Sequence, residues 1–256
     1  MIVRRGARLN PVAIMYHDVV EDGNYSASGF PGPGADRYKL DKLEFAQHLR
    51  AIREAVGDFP VVLTFDDGGV SAHERSAAML EEFGWRGHFF VTTGWIGREG
   101  FLTAEQIQEL DRRGHVVGSH SVSHPVRMSQ LTWEQMVAEW NDSLELLRRI
   151  LSHPVDCASV PGGYYSRDVA RAAAAAGVRT LFTSEPTSRV QIVDGCRVFG
   201  RYVVQQGMGP EWSAGLAAGK LVPRMRQALL WKAKQAAKAL SGGLYLRARE
   251  AILKKA

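Results

Sequence analysis

The sequence lacks several features that mark other classes of protein. It has only two cysteines, Cys157 and Cys196, and no CxxC pair, so a disulfide framework is excluded and free thiols in a reducing compartment are favoured. No run approaches the roughly 18 apolar residues of a membrane span. The first residues, 1–10, are basic but lack the apolar core of a signal peptide. We therefore expect a cytoplasmic protein.

Acidic residues are almost missing from the C-terminal end. Residues 220–256 contain ten Lys/Arg and a single acid, Glu250, which leaves 22 basic and 26 acidic residues in the other 219. The net charge of +5 therefore belongs to this tail. We expect two parts, a main domain at 1–219 and a basic amphipathic helical tail at 220–256.

The tail also carries an apolar stripe at helical spacing. It consists of Met225, Leu229, Ala233, Ala236 and Leu240, while Arg224, Lys234 and Lys238 project away from it with Trp231 among them. Such a helix can lie on an anionic membrane surface, which would place the protein at the inner face of the membrane. It can equally pack on the main domain with a solvated basic face. Nucleic-acid binding is not expected, because the main domain is acidic and has no known nucleic-acid-recognition motif.

The main domain alternates short apolar runs with helical segments. Its predicted strands are 12–16, 61–65, 87–91, 115–119, 157–160, 178–183 and 197–204. Strands that alternate with helices and short turns form parallel sheets built from βα units. At 256 residues with 45% hydrophobic content, the chain suits an α/β fold, a (β/α) barrel with about seven parallel strands, followed by the helical tail.

Side chains that could bind a metal or take part in catalysis come directly after these strands. Asp66 and Asp67 end one strand, and two adjacent acids there are costly unless a cation or a reaction occupies them. The alternative is an acidic turn. His120 and His124 follow another strand and, with one of the acids, would make a three-ligand metal site with an open position. The other acid would be a general base, because the carboxyl ends of barrel strands share one face.

A Gly/Pro-rich loop at 21–36 separates the first strand from the first helix. It contains or adjoins Tyr25, Phe30 and Tyr38. Loops of this length in compact domains are commonly functional or disordered. We interpret it either as a lid or substrate wall or as a plain surface loop.

Two motifs give the sequence a family resemblance. Thr64-Phe65-Asp66-Asp67-Gly68 and His120-Ser121-Val122-Ser123-His124 match the first two motifs of the NodB-homology polysaccharide deacetylases, carbohydrate esterase family four. The sequence resembles that family over roughly residues 12–204. The resemblance implies a distorted (β/α) barrel with fewer than eight strands. It also implies a divalent metal, most often Zn²⁺, held by Asp67, His120 and His124, with Asp66 as catalytic base.

The third family motif, R-x-P-[YF]-G, is altered. It appears as Ser159-Val160-Pro161-Gly162-Gly163, so the arginine that braces the base is missing and the aromatic is displaced to Tyr164 and Tyr165. The Gly162 amide, beside Pro161 and Tyr164, still suits an oxyanion donor because that role needs no side chain. Arg189 and Arg201 are both candidates for the missing guanidinium.

The family's C-terminal L-x-H motif, which supplies the catalytic acid, is absent because no histidine follows His153. However, Met15-Tyr16-His17 resembles the N-terminal Tyr-His of poly-N-acetylglucosamine deacetylases, in which the barrel order is permuted. The resemblance therefore implies His17 as the general acid.

The expected activity is metal-dependent removal of N-acetyl groups from an amino sugar in a polysaccharide, oligosaccharide or lipid-linked glycan. Three other interpretations stay open: a metal-dependent amidase on a non-sugar substrate, a catalytically decayed glycan-binding barrel, and a membrane- or nucleic-acid-binding protein acting through its tail. Retention of both acids and both histidines argues against decay.

Overall fold

The computed structural model describes residues 11–57 and 59–236. In these residues a curled nine-stranded sheet follows the order β11-β1-β4-β5-β6-β7-β8-β10-β9, and β2 and β3 pair separately. All neighbours in the large sheet are parallel except β9, which is antiparallel to β10. The strands are β1 Val12–Tyr16, β2 Val19–Val20, β3 Leu40–Asp41, β4 Val61–Phe65, β5 Gly87–Val91, β6 Val116–Ser119, β7 Cys157–Ser159, β8 Thr180–Phe182, β9 Val190–Val193, β10 Cys196–Phe199 and β11 Tyr202–Val203.

The last predicted strand, 197–204, is broken in two. Its first half, β10, pairs with β8, and its second half, β11, pairs with β1 at the opposite end of the sheet. The chain between them, Gly200 and Arg201, therefore joins the two ends of the curled sheet. A Cβ at Gly200 would collide with Glu185 and Thr187, so only glycine fits this break. With β10 and β11 counted as one broken strand, the predicted barrel of about seven parallel strands is confirmed.

Helices cover the outside of the sheet. They are α1 Pro33–Asp36, α2 Lys42–Val56, α3 Ala77–Glu82, α4 Ala104–Arg112, α5 Trp133–Leu151, α6 Arg167–Ala175 and α7 Pro210–Ala217. Two of them begin with side-chain caps: the Asp41 carboxylate accepts from the Leu43 amide at 2.8 Å, and Thr103 and Gln106 form a capping box. Such caps satisfy amides that the first helical turn leaves without partners.

The apolar residues form two cores. The larger lies between sheet and helices, and a smaller cluster of Ala13, Phe90, Cys157 and Phe182 packs separately from it. Both cysteines are buried free thiols. Because the strands are parallel, the segments that follow β1, β4, β6 and β7 emerge at the same edge of the sheet, and this edge carries the residues singled out above.

A further helix occupies residues 221–236. The Gln227 side chain pairs with the backbone of Val203 on β11, accepting from its N–H at 3.0 Å and donating to its C=O at 2.7 Å. Elsewhere this helix exposes Leu221, Val222, Met225, Leu229 and Leu230. The stripe therefore faces solvent through Met225 and Leu229, whereas its predicted member Leu240 lies outside the described residues. Within those residues no helix is both long and apolar enough to cross a membrane.

Candidate metal centre and active site

The three predicted ligands, Asp67, His120 and His124, converge at the edge of the sheet. The Oδ1 atom of Asp67 lies 3.4 Å from Nε2 of His120 and 3.4 Å from Nε2 of His124. The three donor atoms lie within 4.8 Å of one another, and Asp67 and His120 are buried. A carboxylate faced by two imidazole nitrogens is a donor set that suits zinc, and three protein donors leave a position for water. The side chains present therefore fit a divalent metal.

The backbone at this site adopts uncommon conformations. Asp67 has φ of 76°, Ser121 of 66° and His124 of 56°, all in the left-handed region that non-glycine residues rarely occupy. Such residues cost free energy and persist only where their surroundings hold them. Two of the three candidate ligands thus owe their direction to the loops rather than to regular strands.

A side chain of α5 holds the loop from His120 to His124 in place. Glu139 accepts hydrogen bonds from the amides of Val122 and Ser123, both at 2.9 Å, and from the Ser123 hydroxyl at 2.6 Å. These charge-assisted bonds occupy both carboxylate oxygens and set the loop on a rigid helix. Nothing in the sequence pointed to Glu139, because it sits sixteen residues beyond Ser123 inside a regular helix.

Ser159 orients the ring of His120. Its backbone oxygen lies 3.0 Å from Nδ1 of His120, and its hydroxyl lies 2.5 Å from the same atom. With the hydroxyl also donating to Asp66 at 3.1 Å, Nδ1–H is the donor toward Ser159. Nε2 is thereby the ring nitrogen turned toward Asp67, and it is the atom that would face a cation, as is usual for a histidine ligand.

The charge of the site suits cation binding. Burial raises the pKa of Asp67, but hydrogen bonds from His120 and His124 outweigh burial and hold that pKa well below its usual range. For His124, burial lowers the pKa, yet the hydrogen bond and charge of Asp67 raise it overall. Asp67 is therefore a carboxylate anion at neutral pH, the form that binds metal.

Asp66 is held by a buried arginine. Nη1 and Nη2 of Arg201 donate to its two carboxylate oxygens at 2.6 and 2.7 Å, and Arg201 is 0% exposed. Burial raises the pKa of Asp66, but the charges of Arg201 and His120 more than offset it, so the net shift is downward. Arg201 itself is fixed by Thr183 and Thr64. The carboxylate is thus ionised and locked in one orientation, as a positioned proton acceptor requires.

Comparison with known proteins identifies the family. The profile described as "Polysaccharide deacetylase" matches residues 53–181, half of the chain, including both the Asp66–Asp67 pair and the two histidines. The chain belongs to the polysaccharide deacetylase family.

Individual relatives agree with this assignment. The YxkH protein of Bacillus subtilis (strain 168) is 29% identical over 168 residues, which cover 65% of this chain and 57% of YxkH. A chitin deacetylase of Colletotrichum lindemuthianum is 30% identical over 91 residues, covering 35% of this chain and 36% of its own length. The chain thus spans little more than half the length of YxkH and a smaller share of the fungal enzyme.

Solved structures share the fold. A deacetylase of Streptococcus pyogenes, PplD, superposes with a TM-score of 0.65 at 21% identity, covering 78% of this chain and 95% of PplD. IcaB of Ammonifex degensii superposes with a TM-score of 0.64 at 22% identity, covering 82% of this chain and 97% of IcaB. The chain therefore shares the fold of these two proteins, including the curled parallel sheet described above.

Against this family background, Arg201 replaces the arginine missing from the third motif. Ser159 stands at the motif's arginine position, and the guanidinium comes instead from the break between β10 and β11. Of the two candidates from the sequence, Arg189 is exposed, whereas Arg201 contacts Asp66. The sequence could not decide between them, because only the closure of the sheet brings residue 201 beside β4.

Arg201→Ala should destabilise the protein by about 3–5 kcal/mol, because it leaves Asp66 as a buried carboxylate without its charge partner. Denaturant unfolding measures the loss. The matched control is Arg197→Ala, which removes an exposed arginine of β10 and should stay within about 0.5 kcal/mol of wild type. Equal stability of the two variants would show that the Asp66–Arg201 pair is not needed for folding.

The remaining predicted residues lie in the segments that follow β1 and β7, at the same edge of the sheet. The His17 ring lies 4.6 Å from the ring of Tyr38, and its charge contributes to lowering the pKa of Asp66 and Asp67. Gly162 has φ of 65°, and a Cβ there would lie 2.9 Å from the carbonyl oxygen of Val126, next to the His124 segment. Pro161 is buried in the same turn, and the Tyr164 ring lies 5.6 Å from the Arg127 guanidinium.

The loop at 21–36 forms one wall of the site. Phe30 lies with its ring 4.9 Å from that of His124 and 4.9 Å from that of Trp95. The loop is anchored by buried Asp18, whose Oδ1 accepts from the hydroxyls of Ser28 at 2.5 Å and Ser71 at 2.8 Å. These contacts place the loop beside the candidate ligand His124. The role of Asp18 had no sequence signal beyond its place after β1.

Proposed function

We propose that this protein is a metal-dependent hydrolase that removes N-acetyl groups from an amino sugar, with zinc as its metal. The observation that carries the proposal is that two adjacent carboxylates have different partners. Asp67 faces two histidines, whereas Asp66 faces Arg201 and Ser159. One carboxylate is placed to bind a cation and the other to accept a proton.

When bound by Asp67, His120 and His124, a divalent metal would polarise the acetamide carbonyl and lower the pKa of a coordinated water toward neutrality. Asp66 accepts the proton of the attacking water, since Arg201 keeps it ionised and oriented. The Gly162 amide donates to the oxygen that gains negative charge. His17 gives a proton to the departing nitrogen, so acetate and a free amino sugar result.

His17→Ala should slow amide hydrolysis by about 10²–10⁴-fold, because an amine anion is a very poor leaving group and needs a proton donor. An aryl acetate loses a phenolate that leaves unprotonated, so its hydrolysis should be much less affected. The measurement compares acetate release from the two substrates in the variant and in wild type. If both rates fall by the same factor, His17 positions substrate and the acid is another group.

The proposed activity is tested by incubating the protein with N-acetylglucosamine oligomers and with lipid-linked N-acetylated sugars. Acetate and new primary amine should appear in equal amounts. A non-sugar amidase would leave these substrates intact while hydrolysing simple acetamides. A decayed glycan-binding barrel would bind oligomers without releasing acetate.

We further propose that residues from 220 onward hold the protein to an anionic membrane surface, which fits a cytoplasmic enzyme acting on a lipid-linked glycan. The support is the exposed apolar side of helix 221–236, where Val222 is 75% and Leu229 63% exposed, together with the basic excess of the tail. Apolar burial and charge attraction act together at such surfaces.

Leu229→Glu should reduce co-flotation with phosphatidylglycerol vesicles, because it places a charge on the apolar side of this helix. The matched control is Leu43→Glu, because Leu43 is a leucine on α2 that is 73% exposed, and this variant should float like wild type. Vesicles of phosphatidylcholine alone should bind all variants weakly. Equal flotation of both variants and wild type would refute the membrane role.

A further inference from the structure

A groove opens on the same edge of the sheet as the candidate active site. It has a volume of about 440 Å³ and is lined by Ser129, Leu131, Trp133, Met136, Ser166, Asp168 and Arg171. Ser129 and Leu131 belong to the segment between β6 and α5, and Ser166 precedes α6. Because β6 and β7 are parallel neighbours, the segments that follow them lie together.

One chain segment links this groove to the candidate metal centre. The segment that carries His124 runs on through Val126 to Ser129, five residues later, so the two sites are at most about 18 Å apart along this segment. Val126 is 61% exposed between them. The turn at Gly162 packs against the Val126 carbonyl, which brings the β7–α6 segment to the same path.

The lining combines an aromatic face with a polar edge. Trp133 is 41% exposed, and the Arg171 guanidinium lies 5.8 Å from its ring centroid. Arg171 in turn bonds the carboxylates of Asp168 and Asp194, each at 3.3 Å. Binding sites generally pair apolar and aromatic surface with a few fixed polar groups, and an exposed indole offers a flat apolar surface with a polar N–H.

These features match one kind of ligand. A pyranose ring has an apolar C–H face, which stacks on an indole, and a rim of hydroxyls, which bond to carboxylate, guanidinium and serine groups. Within the lining, the charges of Asp168 and Arg171 balance each other. The lining therefore has no net charge, so nothing in it favours an anionic sugar over an N-acetylated sugar or its amine product.

We propose that this groove, which we call the Trp133 subsite, binds a sugar unit of a glycan chain whose N-acetyl group is hydrolysed at the metal centre. This inference rests on the proposed function and makes the substrate an oligomer or polymer that spans both sites. A single sugar would occupy the metal centre alone. Longer chains should therefore bind more tightly, up to the length at which they reach Trp133.

The test uses binding and turnover in parallel. Glucosamine oligomers are already deacetylated, so calorimetry can measure their affinity for active protein without turnover. Trp133→Ala should weaken binding of long oligomers about tenfold and leave the shortest unchanged. With N-acetylglucosamine oligomers, the same variant should raise KM for long chains about tenfold with little change in kcat.

Phe59→Ala is the matched control, because Phe59 is an aromatic side chain that is 67% exposed and precedes β4, at the opposite edge of the sheet. It should behave as wild type at every length. The Trp133 subsite is refuted if Trp133→Ala binds all lengths as wild type does, if it weakens all lengths equally, or if no oligomer binds. Length-dependent binding without acetate release would keep the subsite and refute the proposed hydrolysis instead.

Discussion

His120→Ala should abolish both metal binding and acetate release. Nε2 of His120 is one of three donor atoms gathered around the buried Asp67 carboxylate, and its removal leaves two. Lewis-acid stabilisation is worth several kcal/mol, so activity should fall at least about a thousandfold. Asp67→Ala and His124→Ala should have the same outcome. Elemental analysis of purified protein and acetate release from the same sample measure the two effects.

The matched control for this prediction is His153→Ala. His153 is an exposed histidine in the turn between α5 and β7, at the other edge of the sheet. Its side chain forms a hydrogen bond with Asp111. Its replacement should leave metal content and rate unchanged. Full metal occupancy in His120→Ala would remove His120 from the ligand set.

Asp66→Asn should keep the metal and lose about 10²–10⁴-fold in turnover, the usual contribution of a general base. Asparagine has nearly the shape of aspartate but cannot accept the water's proton. The change also leaves Arg201 as a buried charge without its partner, so the variant should melt earlier than wild type. Rates therefore have to be measured well below its unfolding transition and expressed per bound metal.

Ser159→Ala provides the comparison for Asp66→Asn. It removes the 3.1 Å hydrogen bond to Asp66 and the hydroxyl contact with His120, but it keeps the carboxylate with its arginine and the backbone oxygen beside His120 Nδ1. A hydrogen bond to a charged group is worth about 1.5–3 kcal/mol, so the loss of rate should be smaller than in Asp66→Asn. Near-normal turnover in Asp66→Asn would place the base on another residue.

The architecture could be predicted from local signals. Apolar runs of strand length alternate with helical segments, and the structure has strands and helices in this alternating order. The convergence of Asp66, Asp67 and the two histidines followed from one topological fact. Parallel strands deliver their carboxyl ends to one edge, so residues far apart in sequence meet there.

The partners of these residues could not be predicted in the same way. Arg201 reaches Asp66 only because the strand at 196–203 breaks and joins the two ends of the sheet. Glu139 and Asp18 stabilise the loops of the site through side-chain contacts that follow no sequence period. Such long-range polar contacts depend on tertiary packing, and a pattern of apolar and polar residues does not encode them.

The most direct test of the account is a metal titration of acetate release. Protein stripped by a chelator is reconstituted with increasing Zn²⁺, and acetate release from an N-acetylglucosamine oligomer is measured at each step. The account predicts negligible release without metal and a rise that saturates at one metal ion per chain. Undiminished release from the stripped protein, or no release at full occupancy from any N-acetylated glycan, would contradict it.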